Sequence, residues 1–327
     1  MTHTDPAHTA ARNTHRFAVI GGDGRMTHLA ERLSEAGYGV RLLGCGTDCL
    51  PIRESEGEIR MTTTLQGATE GVDTLILPLP TTRDGVTVHC PRDPSCTVTL
   101  REIAELLARH PHMQVFGGKL PTDLKASLPP DRVTDYYESE VLQLRNAYIT
   151  AEAALMTAME LLDRTLRDTS VAVLGFGRIG KYLARLLHAM GATVTVCARR
   201  EESLFEAAAE GGHPLLITGG TPMNGLHPLT RNHTVIFNTV PSPILNRELL
   251  LSMEENTLLI DLASAPFGVC DGDVREASTK NGLRYLRAPS LPGSYAPRDA
   301  GRIIAECILN ELSQKEKTTT EKGGKQA

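Results

Sequence analysis

Apolar residues along this chain fall into two kinds of run. Some are short and unbroken, and others recur every three or four positions. The first kind suits strands buried on both faces, the second helices with one buried face. Phe17 to Ile20 predicts a strand. Met26, Leu29, Ala30 and Leu33 then predict a helix ending at Gly37, and Val40 to Leu43 a second strand. Further strands are expected at Thr74 to Leu77, Val115–Phe116 and Val133–Thr134, with a helix from Leu100 to Ala108 and a loop or short helix over 121–131. Leu155, Met159, Leu162 and Leu166 form one stripe of a long helix that links this half to the next. The second half repeats the alternation. Strands are expected at Val171 to Leu174, Thr193 to Cys197, Leu215 to Ile217, Thr234 to Phe237, Leu258 to Leu262 and Leu283 to Leu286. Helices are expected around 179–190, over Leu204 to Ala209 and over Arg298 to Leu312, with an irregular loop over Gly219 to Leu229.

Strand–helix–strand alternation of this length predicts an α/β fold with two Rossmann-like, doubly wound domains. The expected divisions are a polar tail over 1–15 and an N-terminal domain over 16–140, completed by a C-terminal helix over 298–313. A hinge and linking helix follow over 141–166, a dinucleotide domain over 167–297 and a Lys/Glu/Thr/Gly-rich tail over 314–327. Both tails are polar enough to be expected disordered.

The most informative stretch is Gly175-Phe176-Gly177-Arg178-Ile179-Gly180. It follows a strand at once and opens a helix in which Ile179, Leu183, Leu187 and Met190 keep helical spacing up to Gly191. A dinucleotide fold needs that context. Gly175 permits the turn, Gly177 lets a pyrophosphate approach the backbone, and Gly180 lets helix and strand pack closely. The free N–H groups and positive end of the helix then face the phosphates. Arg178 is placed to cap them. The alternative is a glycine turn whose cofactor site has been lost. At the end of the next strand, where an NAD site carries Asp or Glu on the ribose, the chain reads Cys197-Ala198-Arg199-Arg200. No carboxylate stands there, and an arginine fork suits a phosphate. NADP is therefore expected ahead of NAD, unless the arginines pair with Glu201 and Glu202 instead.

Composition narrows the field. The 327 residues suffice for two domains, and the net charge of −5 argues against nucleic acid as a main partner. The polar opening does not read as a signal peptide, and no apolar run approaches membrane-spanning length. Seven cysteines, an odd number, are scattered along the chain. Cys45 and Cys49 are close in sequence, as are Cys90 and Cys96, but neither pair has zinc-knuckle spacing, so reduced thiols are expected and no metal is assigned.

Each strand of the second half ends in a small, polar or proline-rich loop, which marks the cofactor-facing edge of a doubly wound sheet. Asn238, Thr239, Val240 and Pro241 follow one strand, Asp261 and Ala263 another, and Pro289 a third. In the first half, Arg25 follows the first strand, Arg83 the Pro-rich loop after the third, and Lys119 a glycine pair after the fourth. Arg25 reads either as a ligand-facing residue or as a solvated helix N-terminal one.

The motifs AVIGGDGR, VAVLGFGRIG, CAR, FNTVPSPILN, LIDLASAP and APSLPGSYAPRDAG, with Asn146 and Glu152 ahead of the linking helix, together resemble the A-subunit family of bacterial dipicolinate synthase. The resemblance runs from about residue 16 to residue 313. The architecture also resembles D-2-hydroxyacid dehydrogenases, with the dinucleotide domain inserted between two domain-crossing helices. It implies NADP-dependent oxidation of dihydrodipicolinate, or its hydrated precursor, to dipicolinic acid. It also implies a partner, a flavoprotein-like B subunit, and the mother-cell cytoplasm of a spore-former. A homodimer is expected. Two carboxylates on the substrate call for cationic partners, for which Arg25, Arg83, Lys119 and Arg298 are candidates, with Ser264 at the same edge. Glu152 and Asp261 are candidate proton acceptors, though Glu152 reads also as a helix N-terminal carboxylate and Asp261 reads better as a strand-end ribose contact. Asn146 and Thr150 are candidate hydrogen-bonders to substrate or nicotinamide. Ser294-Tyr295 and Ala265-Pro266-Phe267 depart from the family's usual pattern at the substrate edge. No histidine follows a strand beside an acidic partner, which counts against an alcohol substrate. Two other readings stay open: a 2-hydroxyacid dehydrogenase, and a nucleotide-binding scaffold whose flavoprotein partner does the chemistry.

Overall fold

A computed structural model of the chain describes residues 15–46, 58–217 and 233–323. The described residues divide into two compact units, at 143/144 and at 295/296.

The first unit contains β1 (Arg16–Ile20), α1 (Gly24–Glu35), β2 (Gly39–Leu43), β3 (Ile59–Met61), α2 (Leu65–Thr69) and β4 (Thr74–Ile76). It continues with α3 (Leu100–Arg109), β5 (Gln114–Gly117), α4 (Thr122–Ala126) and β6 (Val133–Asp135). The six strands run in the order β3-β2-β1-β4-β5-β6, and every pairing is parallel. The order reverses between β1 and β4, the switch point where open α/β sheets bind ligands. Capping residues mark the helix starts. Asp23 accepts from the Arg25 amide, and Thr99 and Glu102 form a reciprocal capping box on α3. Ala18, Ile20, Leu75, Leu77 and Val115 fill one face of the sheet with Ile103 and Leu107 of α3.

The long helix α5 (Glu140–Leu161) crosses the division, and the second unit follows. Its elements are β7 (Ser170–Leu174), α6 (Arg178–Ala189), β8 (Thr193–Ala198), α7 (Glu201–Ala209), β9 (His213–Leu216), β10 (Val235–Asn238), α8 (Arg247–Ser252), β11 (Leu258–Asp261), α9 (Asp271–Asn281), β12 (Arg284–Arg287) and α10 (Leu291–Tyr295). Strand order is β12-β11-β10-β7-β8-β9, again all parallel, with its switch point between β7 and β10. Strand alternation divides the core. Val171, Val173, Phe237 and Ile260 pack with Leu183 and Leu187 of α6, while Ala172, Leu174, Ile236 and Leu259 pack with Leu249 of α8 and Val274 of α9. Unbroken apolar runs are what a sheet covered on both faces requires.

Helix α11 (Pro297–Gly323) returns to the first unit and packs on α1. Gly301 makes the approach possible, because a Cβ there would lie 2.3 Å from the Arg25 carbonyl oxygen.

Three expectations change. The C-terminal stretch from 314 was expected disordered, yet α11 runs on to Gly323. Its Lys315 ammonium donates to the Asp131 carbonyl and the Thr134 hydroxyl at 3.0 Å each and sits 5.2 Å from the centre of the Phe116 ring. At the other end of the chain, the His15 ring lies 2.9 Å from an Asp73 oxygen and 3.0 Å from a Glu316 oxygen, so this position is held rather than a free tail. The hinge and linking helix expected over 141–166 is one helix, α5, from Glu140 to Leu161, so Leu162 and Leu166 lie beyond its end. The irregular loop expected over Gly219 to Leu229 lies outside the described residues, as do Cys49 and the first fourteen positions.

Candidate functional site

The β7–α6 turn has the geometry that the glycine spacing requires. Gly175 has φ +91°, a left-handed conformation that disfavours a side chain, and a Cβ there would meet Thr239 Oγ1 at 2.5 Å. At Gly180 a Cβ would lie 2.1 Å from the Gly175 carbonyl oxygen, so only glycine lets α6 pack against the turn. Gly177 differs: it is exposed, and nothing lies within 4 Å of where its Cβ would be. It is the N-cap of α6, no side chain caps the helix there, and the first turn carries no acid. The N–H groups of that turn therefore remain available to an anion, and the open space at Gly177 is the cradle a pyrophosphate would fill. Phe176 is buried, Ile179 half-buried and Arg178 exposed at the same turn. Residues present and space available fit a dinucleotide.

The far end of that cradle is cationic. Ala198 closes β8 and is buried, while Arg199 and Arg200 are exposed. Among the described residues, no ion pair joins either arginine to Glu201 or Glu202, which leaves both guanidiniums facing solvent. The acids of α7 and its C-cap pair with α6 instead, Glu206 with Lys181 at 2.7 Å and Glu210 with Arg185.

The β10 and β11 exits are organised from inside. Asn238 and Asp261 are fully buried. Asp261 Oδ1 accepts from Asn238 Nδ2 at 2.8 Å and from the Ala263 amide at 3.1 Å, and Oδ2 from the Gly268 amide at 3.0 Å and the Tyr285 hydroxyl at 3.4 Å. Asn238 in turn donates to the Val240 carbonyl and accepts from the Val240 amide. These two residues, expected to meet the cofactor or a proton, spend their polar atoms shaping the loops that carry Val240, Pro241, Ala263 and Ser264. The Thr239 hydroxyl is likewise engaged, donating to the Leu174 carbonyl at 2.8 Å. Pro241, Ser264 and Pro289 are exposed along these loops, with Val240 half-buried and Ala263 buried.

In the first unit the cations separate by environment. Arg25 is buried: its guanidinium forks onto Asp23, both bonds at 2.8 Å, and reaches the Leu79 carbonyl. It ties the β1 exit to the β4 exit and is a buried, paired residue, not a solvated one. Arg83 is exposed at the tip of a rigid turn, because Asp84 accepts from the Val86 and Thr87 amides and from the Thr82 and Thr87 hydroxyls. Those bonds, the Thr87 ones first, hold the Asp84 carboxyl well below its ordinary range. Lys119 has φ 53°, donates its amide to Asp135 at 3.0 Å and places its ammonium 5.1 Å from the centre of the Tyr137 ring. Arg298 is exposed in the first turn of α11.

One group the sequence did not mark stands among these. His89, in the excursion after β4, accepts at its carbonyl from the Gly22 amide at 2.7 Å and donates its amide to the Thr81 carbonyl at 2.9 Å. Burial and the Arg83 charge hold its imidazole below the ordinary value, with Asp23 and Asp84 acting in opposition. His89 is thus within electrostatic reach of Asp23 and Asp84 near the β1 exit, though not at a strand end, the position for which no histidine was expected. It stands well past the end of its strand, so no local spacing points to it. On α5, Asn146 and Glu152 are half-buried, and Thr150 is buried with its hydroxyl donating to the Asn146 carbonyl at 2.8 Å. Among the described residues no three His, Cys, Asp or Glu side chains converge to hold a metal ion, and no helix is long and apolar enough to cross a membrane.

Two parallel sheets, a glycine turn that opens a helix and a phosphate-ready N-terminus define an oxidoreductase chain with a nicotinamide-dinucleotide-binding domain. Residues 140–271 match the NAD-binding domain of D-isomer-specific 2-hydroxyacid dehydrogenases, and residues 16–133 match the N-terminal domain of the dipicolinate synthase A subunit. The A subunit of dipicolinate synthase from Bacillus subtilis (strain 168) is 31% identical over 318 residues, covering 91% of this chain and 96% of its own length. The chain belongs to the A-subunit family of dipicolinate synthase. The crystal structure of the corresponding protein from Bacillus halodurans superposes with a TM-score of 0.75 at 29% identity, covering 92% of this chain and 98% of its own. The apo D-lactate dehydrogenase of Escherichia coli, 14% identical with a TM-score of 0.61 over 93% of this chain and 97% of its own, shares the fold.

Proposed function

We propose that this chain oxidises a dihydrodipicolinate-type cyclic dicarboxylate, or its hydrated precursor, to dipicolinate, using NADP⁺ in preference to NAD⁺. The observation that carries the cofactor choice is the exposed Arg199–Arg200 pair at the end of β8, where no carboxylate stands to meet a ribose hydroxyl. Family membership carries the substrate class.

The Gly177 turn would hold the pyrophosphate of the dinucleotide, whose nicotinamide would supply the hydride acceptor. Loss of that hydride and one proton from the dihydro ring leaves the aromatic acid, so aromatisation drives the step and the protein's task is orientation. Arg83 and Arg298, both exposed, are the cations available to the substrate carboxylates, and Lys119 is a third. Arg25 acts one step back, holding the β1 and β4 exits together. Glu152 serves as proton acceptor, Asn146 hydrogen-bonds the substrate or the carboxamide, and Ser264 lines the substrate edge. The protein works as a homodimer, in the cytoplasm of the mother cell of a spore-former, and its partner is a flavoprotein-like B subunit.

The test is direct. Purified protein is mixed with NADP⁺ and freshly prepared precursor, with and without the partner flavoprotein, against an enzyme-free control. NADPH and dipicolinate rising in step with the single chain supports the proposal. Turnover only of 2-hydroxyacids, or none until the partner is added, overturns it.

A further inference from the structure

We propose that Cys90 and Cys96 form an oxidisable dithiol, a modification site at which a peroxide converts the pair into an intramolecular disulfide. This site is independent of the reaction proposed above. The segment between β4 and α3 leaves the sheet as a small antiparallel excursion. Thr87 bridges Thr99, the Val88 amide donates to the Val98 carbonyl at 2.9 Å, and the Leu100 amide donates to the Val86 carbonyl at 2.9 Å. Further along the same register, Cys90 stands opposite Cys96. Their sulfurs lie 3.5 Å apart, with the Cys90 thiol donating to Cys96. The tip between them is closed by the Asp93 amide on the Cys90 carbonyl and the Cys96 amide on the Asp93 carbonyl. A disulfide needs the sulfurs to approach by only about 1.5 Å, to the ~2.05 Å of an S–S bond.

The surroundings single this pair out. Both cysteines are half-buried, whereas Cys45 and Cys197 are fully enclosed. Cys45 lies nearby, but its thiol donates to the Gly21 carbonyl at 3.2 Å and burial pushes it up to about 12. The Cys90–Cys96 hydrogen bond lowers the Cys96 thiol, against the effect of burial, and raises Cys90, so the thiolate of the pair is favoured at Cys96. Both sulfurs are seated against glycines: a Cβ on Gly44 would lie 2.5 Å from Cys96 Sγ, and one on Gly21 would lie 2.7 Å from Cys90 Sγ.

With hydrogen peroxide as oxidant the step balances. The Cys96 thiolate attacks one peroxide oxygen, the O–O bond breaks, and hydroxide leaves with the proton that Cys96 had released, as water. Cys96 is then a sulfenic acid. Cys90 attacks its sulfur, the S–O bond breaks, and the oxygen departs with the Cys90 proton as a second water. Two thiols are oxidised and one peroxide is reduced. The bond pins the tip that carries Arg92, whose side chain lies against Gly24 and Gly46, next to His89, whose carbonyl accepts from the Gly22 amide. Oxidation thus clamps the excursion over the β1 exit.

Trypsin cuts after Arg92, so the peptides 84–92 and 93–101 stay together only through this disulfide. The full chain is treated with a small excess of hydrogen peroxide, alkylated, digested and weighed. The expected product is the joined pair, two hydrogens lighter than the sum of its parts, forming before exposed Cys270 is modified and reverting with dithiothreitol. In Cys90→Ser, dimedone is expected to trap a sulfenic acid on Cys96. In Cys96→Ser, the rate at Cys90 is expected to fall at least tenfold. Cys96 passing to sulfinic acid with no joined peptide, oxidation no faster than at Cys270, or linkage to Cys45 would each overturn the proposal. The wild-type map decides even if neither variant folds.

Discussion

Gly177 and Gly180 are three residues apart and do opposite work, which makes them separable by experiment. Gly177→Ala puts a methyl into open space at φ −83°, which an L-residue adopts freely, so folding is expected to lose no more than the ~1 kcal/mol by which alanine is the poorer N-cap. Dinucleotide affinity is expected to drop at least tenfold, read by fluorescence titration. Gly180→Ala forces a methyl onto the Gly175 carbonyl oxygen, an overpacking worth about 1–3 kcal/mol of stability or more, read by urea unfolding. At β8, Arg199→Ala is expected to weaken NADPH by at least tenfold while leaving NADH nearly unchanged. Equal losses for both would remove the 2′-phosphate assignment. The glycine turn is legible in the sequence because its geometry is local, set within one strand–turn–helix unit. Asp261 and Arg25 mislead for the converse reason. Each looks like a strand-end ligand group, yet each is buried by partners that sequence separation hides, Gly268 and Tyr285 for one and Leu79 for the other.

Among the elements, His15 joins β1 to β4 and α11 through Asp73 and Glu316. The Asp73 hydrogen bond is the largest influence and raises the imidazole above its ordinary value, while burial opposes it. A raised histidine contributes stability that is fully present below its unfolded pKa, about 6.5, and is lost as pH rises through the folded value. His15→Ala is therefore expected to cost more stability at about pH 6 than at about pH 8, in paired urea unfolding curves. A loss equal at both pH values would show that the contact is only steric. Elements with strong periodicity or β-branched runs are legible along the chain. Those without are not. Helix α9 buries only Val274 and Ala277 among polar neighbours, and β3 is a three-residue edge strand with mostly exposed positions, so neither announces itself in the pattern. The end of α11 has the composition of a solvated tail, and only Phe116, Asp131 and Thr134 make Lys315 an anchor.

Across the whole molecule, a ligand that binds only the folded chain must raise its stability by RT ln(1 + [L]/Kd), about 2.7 kcal/mol at a hundredfold excess over Kd. NADP⁺ at a hundredfold excess over its Kd is expected to stabilise the folded chain by that increment and so to raise the unfolding midpoint. NAD⁺ at the same concentration is expected to raise it less. An equal rise, measured by scanning calorimetry, would leave the cofactor preference without support. The net charge of −5 adds nothing to this choice, because a phosphate at the end of β8 would meet the local field of two exposed guanidiniums.

Pattern and motif were enough for the fold class, the order of the two doubly wound halves, the turn that receives a dinucleotide and the family. All of these depend on contacts within one supersecondary unit or on motifs spread over the whole chain. Which polar groups are occupied and which are available emerged from three-dimensional packing alone. It committed Asp261, Asn238 and Arg25 to holding loops, left Arg83, Arg199 and Arg200 exposed, and placed His89 and the Cys90–Cys96 pair at the β1 exit. Availability depends on desolvation and on pairing between residues tens of positions apart, and neither has a period along the chain.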